Sequence, residues 1–448
     1  MTKTEILALA AFLLALNAGA QTRSISLKEC LELSHSNNAE VVNAAIDSRI
    51  AQAQRQEVLS LWFPTVSASA YGFQAIDPLV KVRLEDVVGN NDAANNLKYF
   101  INSAAGLNGL STEWSFLGHG YIGGLNITQP LFAGGRIANG NALAVLGVKA
   151  ADIKSDMALR DNEGQVVGKY WAVVSLSEKK KALQQGLDLI HSLEKDVAAA
   201  CEAGLARESD LLQVRLKAKE LESQMIKLKS GERLAKMDLF NFVGMDYKVL
   251  DLDDMTLSDT FDELLSPDNY HQDEHSKAAS LDESRLLEMS VEAKKLEKKM
   301  AIGEGLPQIG IGATAGYVRM IGDPRPNGIV YAMVKIPISD WGKTSRKIKR
   351  CQYEIDKAEN DKEYLDKQLL LKVNKEWMDL QSAWDQKEAA EDAVAISEMI
   401  ETQKHKEYEA GLCTLSELLQ CQTELQSVRS AYFDSLVEYC NALETWKK

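Results

Sequence analysis

Two histidines one helical turn apart are the side chains best suited to bind a metal ion. His271 and His275 stand four residues apart, with Asp273 and Glu274 between them. A histidine pair at this spacing can bind zinc when both rings lie on one helix face. The segment is polar and follows Pro267 closely, so a solvated loop is the expected structure. An enzyme with a metal site at these histidines remains one alternative hypothesis.

The other candidate signatures of catalysis are incomplete. Gly310, Gly312 and Gly316 resemble a phosphate-binding loop, but the last spacing is wrong and no lysine follows. No serine or cysteine nucleophile stands in a recognisable signature beside a histidine. We therefore expect a protein that is not an enzyme and that holds no cofactor and no resident metal.

The charge and the N-terminus restrict the class of protein further. The 448 residues carry a net charge of −14, which argues against nucleic-acid binding because that binding depends on lysine and arginine. Residues 1–20 have the pattern of a secretory signal, with Lys3 before an apolar core at 6–16 and small residues at 18–20. No segment reaches the length of about 20 apolar residues that a transmembrane helix needs. The sequence predicts an exported protein without such a helix.

The chain has six cysteines without the dense spacing of a disulfide-stapled small domain. Free, buried thiols are the expected state, and a single tertiary disulfide is the alternative. The six are Cys30, Cys201, Cys351, Cys413, Cys421 and Cys440.

An internal duplication organises the chain. Four of the eight prolines adjoin stretches of alternating small, polar and apolar residues: Pro64, Pro130, Pro307 and Pro337. Gly204 lies 74 residues after the second proline of the first half, and Gly411 lies 74 residues after the second proline of the second half. Both glycines belong to an identical Glu-Ala-Gly-Leu motif. We infer one structural unit built twice, with an insertion in the loop at about 74–120.

Long proline-free stretches predict helices. In the stretch 345–410 apolar residues recur at spacings of three, four or seven, which is the period of an amphipathic helix. Its length corresponds to a rod of about 100 Å. Two shorter helices placed end to end can pair along such a rod in a coiled-coil-like layer. The predicted helices cover 27–62, 137–203, 206–243, 281–302, 345–410 and 414–446.

Four stretches beside the prolines predict strands with one apolar and one small or polar face. Soluble sandwiches share this alternation with outer-membrane barrels. In a membrane four strands leave two open edges, so other copies of the chain must close the sheet. Three copies supply twelve strands, enough for an open pore. The predicted strands are 65–73, 121–128, 309–318 and 330–336.

Several motifs, in order and with matched spacing, resemble the TolC family of outer-membrane efflux proteins. Residues 26–33 are similar to the family's first-helix signature. Residues 129–136 and 336–343 are similar to its two strand-to-helix turns. Residues 202–213 and 408–420 are similar to its two helix-turn-helix tips. The resemblance covers essentially the whole mature chain.

This resemblance implies a mixed α/β membrane channel, made mainly of long antiparallel α-helices. Three chains form a periplasmic α-barrel, and four strands per chain contribute to a shared 12-stranded outer-membrane β-barrel. The implied function is the passive exit duct of a tripartite efflux system in the outer membrane, with a long periplasmic extension. The implied partners are two further copies, outer-membrane lipid, a periplasmic adaptor (a membrane fusion protein), and an inner-membrane pump of the RND or ABC type.

The resemblance also assigns roles to residues at the two tips. A helix must end at each tip, and glycine adopts the left-handed conformation there without strain. The expected adaptor-docking residues are Gly204, Leu205, Ala206, Gly411, Leu412 and Cys413. The expected constriction of the tunnel involves Glu417, Gln420 and Asp210. Gln420 departs from the acidic pattern of the family, and Cys413 stands where some members carry an arginine of the closing network.

The organisation predicted from these observations has four parts. They are a signal peptide at 1–20, a first repeat at 21–244, an acidic linker with limited structure at 245–279, and a second repeat at 280–448. The four prolines mark the predicted helix–strand junctions. Two alternatives stay open: a duct for type I protein secretion, and a soluble periplasmic coiled-coil protein such as an adaptor. The latter would have one central helical hairpin instead of two copies of the same unit.

Overall fold

The computed structural model describes residues 23–83, 86–87, 92–108, 113–248, 252, 255–261, 264–320 and 322–448. The predicted signal peptide lies outside them. Contacts divide the chain into two units. The helical unit comprises the described parts of 1–51, 148–289 and 359–448, and the sheet unit comprises those of 52–147 and 290–358. Both units therefore draw on both sequence repeats.

The helices agree closely with the predicted proline-free stretches. The two longest have 67 residues each and begin the hairpins of the two repeats. In chain order the helices are α1 (Leu27–Asn37), α2 (Ala39–Ser60), α3 (Asp92–Asn108), α4 (Arg136–Glu202), α5 (Glu208–Phe242), α6 (Glu274–Ser280), α7 (Asp282–Glu304), α8 (Lys343–Glu409) and α9 (Leu415–Lys447).

The first predicted helix is interrupted, because Asn38 separates α1 from α2. Its backbone is extended, at φ −68° and ψ 130°. Its side-chain amide donates to the carbonyl oxygen of Phe242 at 2.9 Å, and its side-chain oxygen accepts from the N–H of Glu40 at 2.8 Å. A short amide side chain competes with helical hydrogen bonding and caps the next helix, which explains the break.

Three apolar clusters form the core of the helical unit. The first joins α4, α5 and α9 near the hairpin tips, through residues such as Ile190, Val214 and Leu418. The second joins α1, α4 and α5 around Tyr170. The third joins α6, α8 and α9, where the rings of Trp377 and Trp446 lie 4.9 Å apart. The helices are thus held together by the apolar stripes that the sequence displays.

The acidic segment between the repeats has more structure than predicted. Strand β6 (Met255–Leu257) pairs in parallel with β1 (Arg23–Ile25), and a 3₁₀ turn (Pro267–Tyr270) follows. Asp259 accepts hydrogen bonds from the hydroxyl of Tyr170 at 2.7 Å and from the N–H of Leu27 at 2.6 Å. These contacts attach the acidic segment to the helical unit.

The sheet unit contains one antiparallel sheet of four strands, in the order β2-β5-β7-β8. Each predicted strand is present, and each is longer than predicted. Their bounds are β2 (Thr65–Gln74), β5 (His119–Ala133), β7 (Gln308–Arg319) and β8 (Arg325–Lys335). The two repeats meet where β5 pairs with β7, for example Asn126 with Thr314. The sheet therefore joins one strand pair from each repeat.

The inserted loop of the first repeat has structure of its own. A second antiparallel pair, β3 (Val80–Arg83) and β4 (Glu113–Phe116), encloses α3 in the chain. The sequence indicated only a long loop here, because glycine, asparagine and aspartate cluster at 89–96.

The prolines mark three of the four expected junctions. Pro130 instead lies inside β5, three residues before its end. The pairing with β2 has stopped at Thr128, and the pairing with β7 shifts register between Pro130 and Phe132. A bulge at this place accommodates a residue without an N–H, so the strand continues past the proline. The three prolines next to strand ends are Pro64, Pro307 and Pro337.

The turns from sheet to helix are alike in the two repeats. Gly134 and Gly135 have φ of +65° and +74°, and Trp341 and Gly342 have φ of +55° and +80°. A Cβ at Gly134 would overlap the carbonyl oxygen of Gly303, so that turn also needs a glycine for close packing. At the equivalent position of the second repeat Trp341 is 93% exposed, so no close neighbour there excludes a side chain.

Candidate functional site

The two hairpin tips have the same backbone construction. Gly204 follows α4 with φ +74°, and Gly411 follows α8 with φ +70°. The N–H of Leu205 donates to the carbonyl of Ala200 at 2.8 Å, and the N–H of Leu412 donates to the carbonyl of Glu407 at 2.7 Å. This is the closure of a helix by a left-handed residue, which satisfies carbonyls that the helix leaves free.

Each tip presents one leucine to solvent. Leu205 is 84% exposed and Leu412 is 79% exposed, whereas Ala206 and Cys413 are half-buried. A leucine this exposed contributes little to packing within the chain. The structure thus places an apolar side chain at the apex of each hairpin, as the sequence predicted.

The two acidic residues assigned to the constriction cap the helices that follow the tips. A carboxylate oxygen of Glu417 accepts from the N–H of Thr414 at 3.1 Å, while the hydroxyl of Thr414 accepts from the N–H of Glu417 at 3.3 Å. Asp210 accepts from the N–H of Arg207 at 3.3 Å. Both carboxylates therefore stabilise a helix N-terminus within the chain.

The two tips lie next to each other in the helical unit. Tyr408, from the last turn of α8, packs against the cluster that joins α4, α5 and α9. Burial raises the pKa of Tyr408, and the negative charge of Asp210 on the other hairpin raises it further. The ends of the two hairpins therefore pack against each other within one chain.

Gln420 lies on the exposed side of α9, one turn beyond Glu417. Its amide donates to a carboxylate oxygen of Glu424 at 3.0 Å. The side chain of Gln420 is neutral, so of the two residues Glu417 and Gln420 only Glu417 carries a negative charge. The structure places the two residues on the same helix, as predicted from their spacing.

The thiols at the tips are free. Cys201 donates to the carbonyl of Arg207 at 3.3 Å, and Cys413 donates to the carbonyl of Lys404 at 3.4 Å. Burial raises the pKa of Cys413, so its thiol stays protonated and neutral. All six cysteines of the chain are free thiols.

The structure adds two residues of α8 that the sequence analysis did not single out. Lys404 pairs with Glu407 at 2.8 Å, and that pairing raises the pKa of Lys404. The negative charge of Glu417 raises the pKa of Lys404 further. The other is Tyr408, an aromatic residue in the last turn of α8 that packs against the first apolar cluster.

The histidine pair does not converge on a metal site. The ring of His271 packs against that of Trp377 at an interplanar angle of 35°, with centroids 4.8 Å apart. Asp273 instead caps α6, accepting from the N–H of Ser276 at 2.8 Å. Among the residues that the structure describes, no three histidine, cysteine or acidic side chains are grouped for metal binding.

No helix in the described part of the chain is long and apolar enough to cross a bilayer.

Comparison with known proteins identifies the architecture. Residues 298–445, about a third of the chain, match the sequence model of the outer membrane efflux protein family. No curated protein is similar enough in sequence to match.

Solved channel structures share the fold of nearly the whole chain. The CmeC outer membrane channel of Campylobacter jejuni matches with a TM-score of 0.74 and 15% identity, over 93% of this chain and 84% of that one. The outer-membrane channel OprN matches with a TM-score of 0.73 and 16% identity, over 94% of this chain and 88% of that one. The outer membrane protein VceC from Vibrio cholerae matches with a TM-score of 0.70 and 13% identity, over 94% of each chain. The resemblance to the TolC-like outer membrane efflux proteins is therefore confirmed, in sequence over residues 298–445 and in fold over almost the whole chain.

Proposed function

We propose that the protein is a passive, trimeric channel of the outer membrane that serves as the exit duct of a tripartite efflux system. The observation that carries this proposal is the four-stranded sheet, because it is incomplete in a single chain. Its two outer strands, β2 and β8, have no second neighbour within the described residues. Every residue of β8 is exposed. Every residue of β2 is exposed except Ser69, which is half-buried.

The exposed side chains of β8 are largely apolar. Ile329 and Met333 point to one face of the strand, and Val330 and Val334 point to the other. A long, exposed apolar edge strand pairs readily with another chain. In hydrocarbon an open edge is not tolerated at all. Two further copies would pair β8 of one chain with β2 of the next and close twelve strands around a pore.

The helical unit supports the periplasmic part of the proposal. Its long hairpins end in Leu205 and Leu412, which are exposed in the chain and are suited to an apolar contact with another protein. We propose that an inner-membrane pump of the RND or ABC type supplies the transport energy and that a periplasmic adaptor docks on the tip residues. These are Gly204, Leu205, Ala206, Gly411, Leu412 and Cys413. The cargo follows from that pump and not from this chain.

We also propose that Glu417 forms the charged part of the tunnel's inner mouth. Three chains would bring three Glu417 carboxylates together there, with Asp210 nearby on the neighbouring hairpin and Gln420 one turn deeper. A ring of carboxylates favours cations in a pore. The neutral amide of Gln420 removes a second acidic ring, so the cation preference should be moderate.

The proposal is tested by recording purified protein in planar bilayers. Stepwise, ohmic conductance with a preference for cations is the expected result. A protein that never conducts and that fractionates with soluble periplasmic proteins would support the coiled-coil alternative instead. The two repeats, 21–244 and 280–448, would then need another explanation.

A further inference from the structure

The four-stranded sheet has one apolar face. Residues paired on neighbouring strands share a face, so the register assigns each side chain to one side of the sheet. One side carries a hydrogen-bonded row, in which Asn126 donates to Ser69 at 2.7 Å and accepts from Thr314 at 2.9 Å. The other side is the apolar face, which contacts lipid in the proposed barrel. Its exposed apolar side chains include Val66, Leu125, Ile127, Ile311, Val330 and Val334.

One cation and two tyrosines stand at one end of the apolar face. Arg319 is the last residue of β7, two positions after Tyr317 and directly opposite Tyr121 on β5. The alternation along the strands therefore places all three side chains on the apolar face. Tyr317 is 60% exposed and Tyr121 is 42% exposed. Exposed tyrosines at the end of an apolar strand face are typical of the interfacial belts of membrane barrels.

Arg319 lies at the end of the sheet opposite the helix junctions. Helices α2 and α7 precede β2 and β7, and helices α4 and α8 follow β5 and β8. In this antiparallel sheet all four junctions lie at one end, where Thr65 pairs with Thr128 and Gln308 with Lys335. The proposed channel has its helices in the periplasm. The end that carries Arg319 then faces the outside of the cell.

The length of the apolar face sets the height of Arg319 in a membrane. From Ile309 to Tyr317 the strand β7 advances by eight residues, which at about 3.4 Å each span about 27 Å along the strand. A strand tilt of about 40° reduces this to about 21 Å across the membrane, close to the apolar band of about 25 Å in membrane barrels. Arg319 comes one alternation later, so its guanidinium reaches the level of the lipid head groups.

The charge of Arg319 is not neutralised within the described part of the chain. Its side chain forms no ion pair and no hydrogen bond with any residue that the structure describes. The sequences of β2, β5, β7 and β8 contain no aspartate and no glutamate. Asp323, in the turn after β7, is exposed and does not pair with Arg319 in the described structure. His119 is exposed on the same face and adds a nitrogen donor. This end of the apolar face is therefore suited to an anion.

We propose that Arg319, Tyr121 and His119 bind the phosphate group of an anionic lipid in the outer leaflet, a site that rests on the proposed channel function. The guanidinium donates to two phosphate oxygens, and the tyrosine hydroxyl and the imidazole donate to the others. The acyl chains lie along the apolar face, which favours a lipid over free phosphate. Strand β7 has both neighbours, β5 and β8, in its own chain. Each copy in a trimer therefore keeps its own site.

Native mass spectrometry of the detergent-solubilised protein tests the site. The protein is titrated with an equimolar mixture of dioleoyl-phosphatidylglycerol, which is anionic, and dioleoyl-phosphatidylcholine, which has the same acyl chains and no net charge. We expect the wild type to retain phosphatidylglycerol preferentially, with at least one such lipid per chain. Inorganic phosphate at millimolar concentration should not displace it.

Substitutions on the two faces of the sheet locate the site. Arg319→Gln should weaken the binding of phosphatidylglycerol about 5-fold, which is the effect of one cation at a membrane surface. Arg319→Lys should keep most of the preference, because it keeps the charge. Arg325→Gln is the matched control, since Arg325 pairs with Val318 and so lies on the opposite face at the same end of the sheet. Its affinity for phosphatidylglycerol should equal that of the wild type.

Three results would overturn the lipid site. They are equal retention of the two lipids by the wild type, wild-type affinity in Arg319→Gln, and an equal loss of affinity in Arg319→Gln and Arg325→Gln. Displacement of the lipid by inorganic phosphate would also overturn it, because the site would then bind a free anion.

Conductance of the same preparations in phosphatidylcholine bilayers separates failure of the lipid site from failure of the channel. Arg319→Gln should conduct like the wild type, because its side chain lies outside the pore. Normal conductance without a preference for the anionic lipid contradicts the lipid site alone. A wild-type protein that never conducts contradicts the channel function.

Discussion

A carboxylate oxygen of Glu417 lies 3.1 Å from the backbone nitrogen of Thr414 and accepts its hydrogen bond. The N–H of Glu417 in turn donates to the hydroxyl oxygen of Thr414. The residue proposed to form the charged mouth is therefore also the N3 residue of a helix capping box. One side chain would serve the stability of α9 and the electrostatics of the pore.

These two roles of Glu417 can be separated by substitution. Glu417→Gln keeps an acceptor for the N–H of Thr414, so it should cost less than about 1 kcal/mol of stability. It removes the charge, so the cation preference of the channel should fall. Glu417→Ala removes both the hydrogen-bond acceptor and the charge. It should lower the stability by about 1 kcal/mol more than Glu417→Gln does.

The measurements are bilayer reversal potentials and thermal melts of the same preparations. The control is Glu438→Gln, because Glu438 is an exposed carboxylate elsewhere on α9. It should leave the reversal potential and the melting temperature unchanged. Unaltered ion preference in Glu417→Gln would remove this residue from the mouth.

The tip glycines should resist replacement by alanine. Gly204→Ala and Gly411→Ala place a Cβ on a residue with positive φ, and each should destabilise the chain by about 1 kcal/mol. Gly147→Ala is the matched control, since Gly147 lies within α4 and a Cβ there meets no atom within 4 Å. It should stabilise the chain by roughly 0.5–1 kcal/mol. Thermal melts that show the same sign for all three variants would contradict the left-handed turns.

The tip leucines should matter for transport and not for stability. Leu205→Ser and Leu412→Ser remove exposed apolar side chains, so the melting temperature should stay close to that of the wild type. Dye efflux by cells that produce either variant in place of the wild type should fall, because adaptor docking is weakened. Leu216→Ser, at an exposed leucine of α5 away from the apex, should retain efflux. Full efflux in the double tip variant would exclude these leucines from docking.

A buried ion cluster in the helical unit should give the stability a pH dependence. Glu232 is buried between Lys180 and Lys236, and Lys236 also donates to the carbonyl of Leu252. Burial alone would raise the pKa of Glu232, but the hydrogen bonds and charges of the two lysines outweigh it and lower that pKa. The stabilisation is therefore present above the ordinary glutamate pKa, and it is lost as the pH falls through the depressed value.

Glu232→Gln tests this cluster. At neutral pH the variant should be about 2 kcal/mol less stable, because the buried ammonium of Lys236 and the partly buried one of Lys180 lose their carboxylate. The difference between wild type and variant should shrink as the pH falls below about 4.5, the pKa of an unperturbed glutamate. A difference that stays constant with pH in denaturant titrations would show that Glu232 is not charged in the folded chain.

The sequence predicted the long elements well because each depends on a local pattern repeated many times. Helix α8 shows its apolar period over many turns, and β7 alternates residue by residue from Ile309 to Val318. The tip glycines were also predictable, because a helix of this length needs a left-handed residue to end it.

Features set by contacts between distant residues were not predictable in the same way. Asn38 breaks the first helix because Phe242 offers it a carbonyl. Strand β6 forms because β1 is available as its partner, and Pro130 stays within β5 because the register shifts opposite it. The capping role of Glu417, by contrast, could be predicted from the sequence, since it follows from the local Thr-x-x-Glu pattern.

The oligomeric mass of the protein extracted from the outer-membrane fraction tests the central claim most directly. The edges of β2 and β8 are open in one chain, so a closed barrel requires further copies. Native mass spectrometry should give a particle of three mature chains, released only by detergent. A monomer released without detergent would contradict the account.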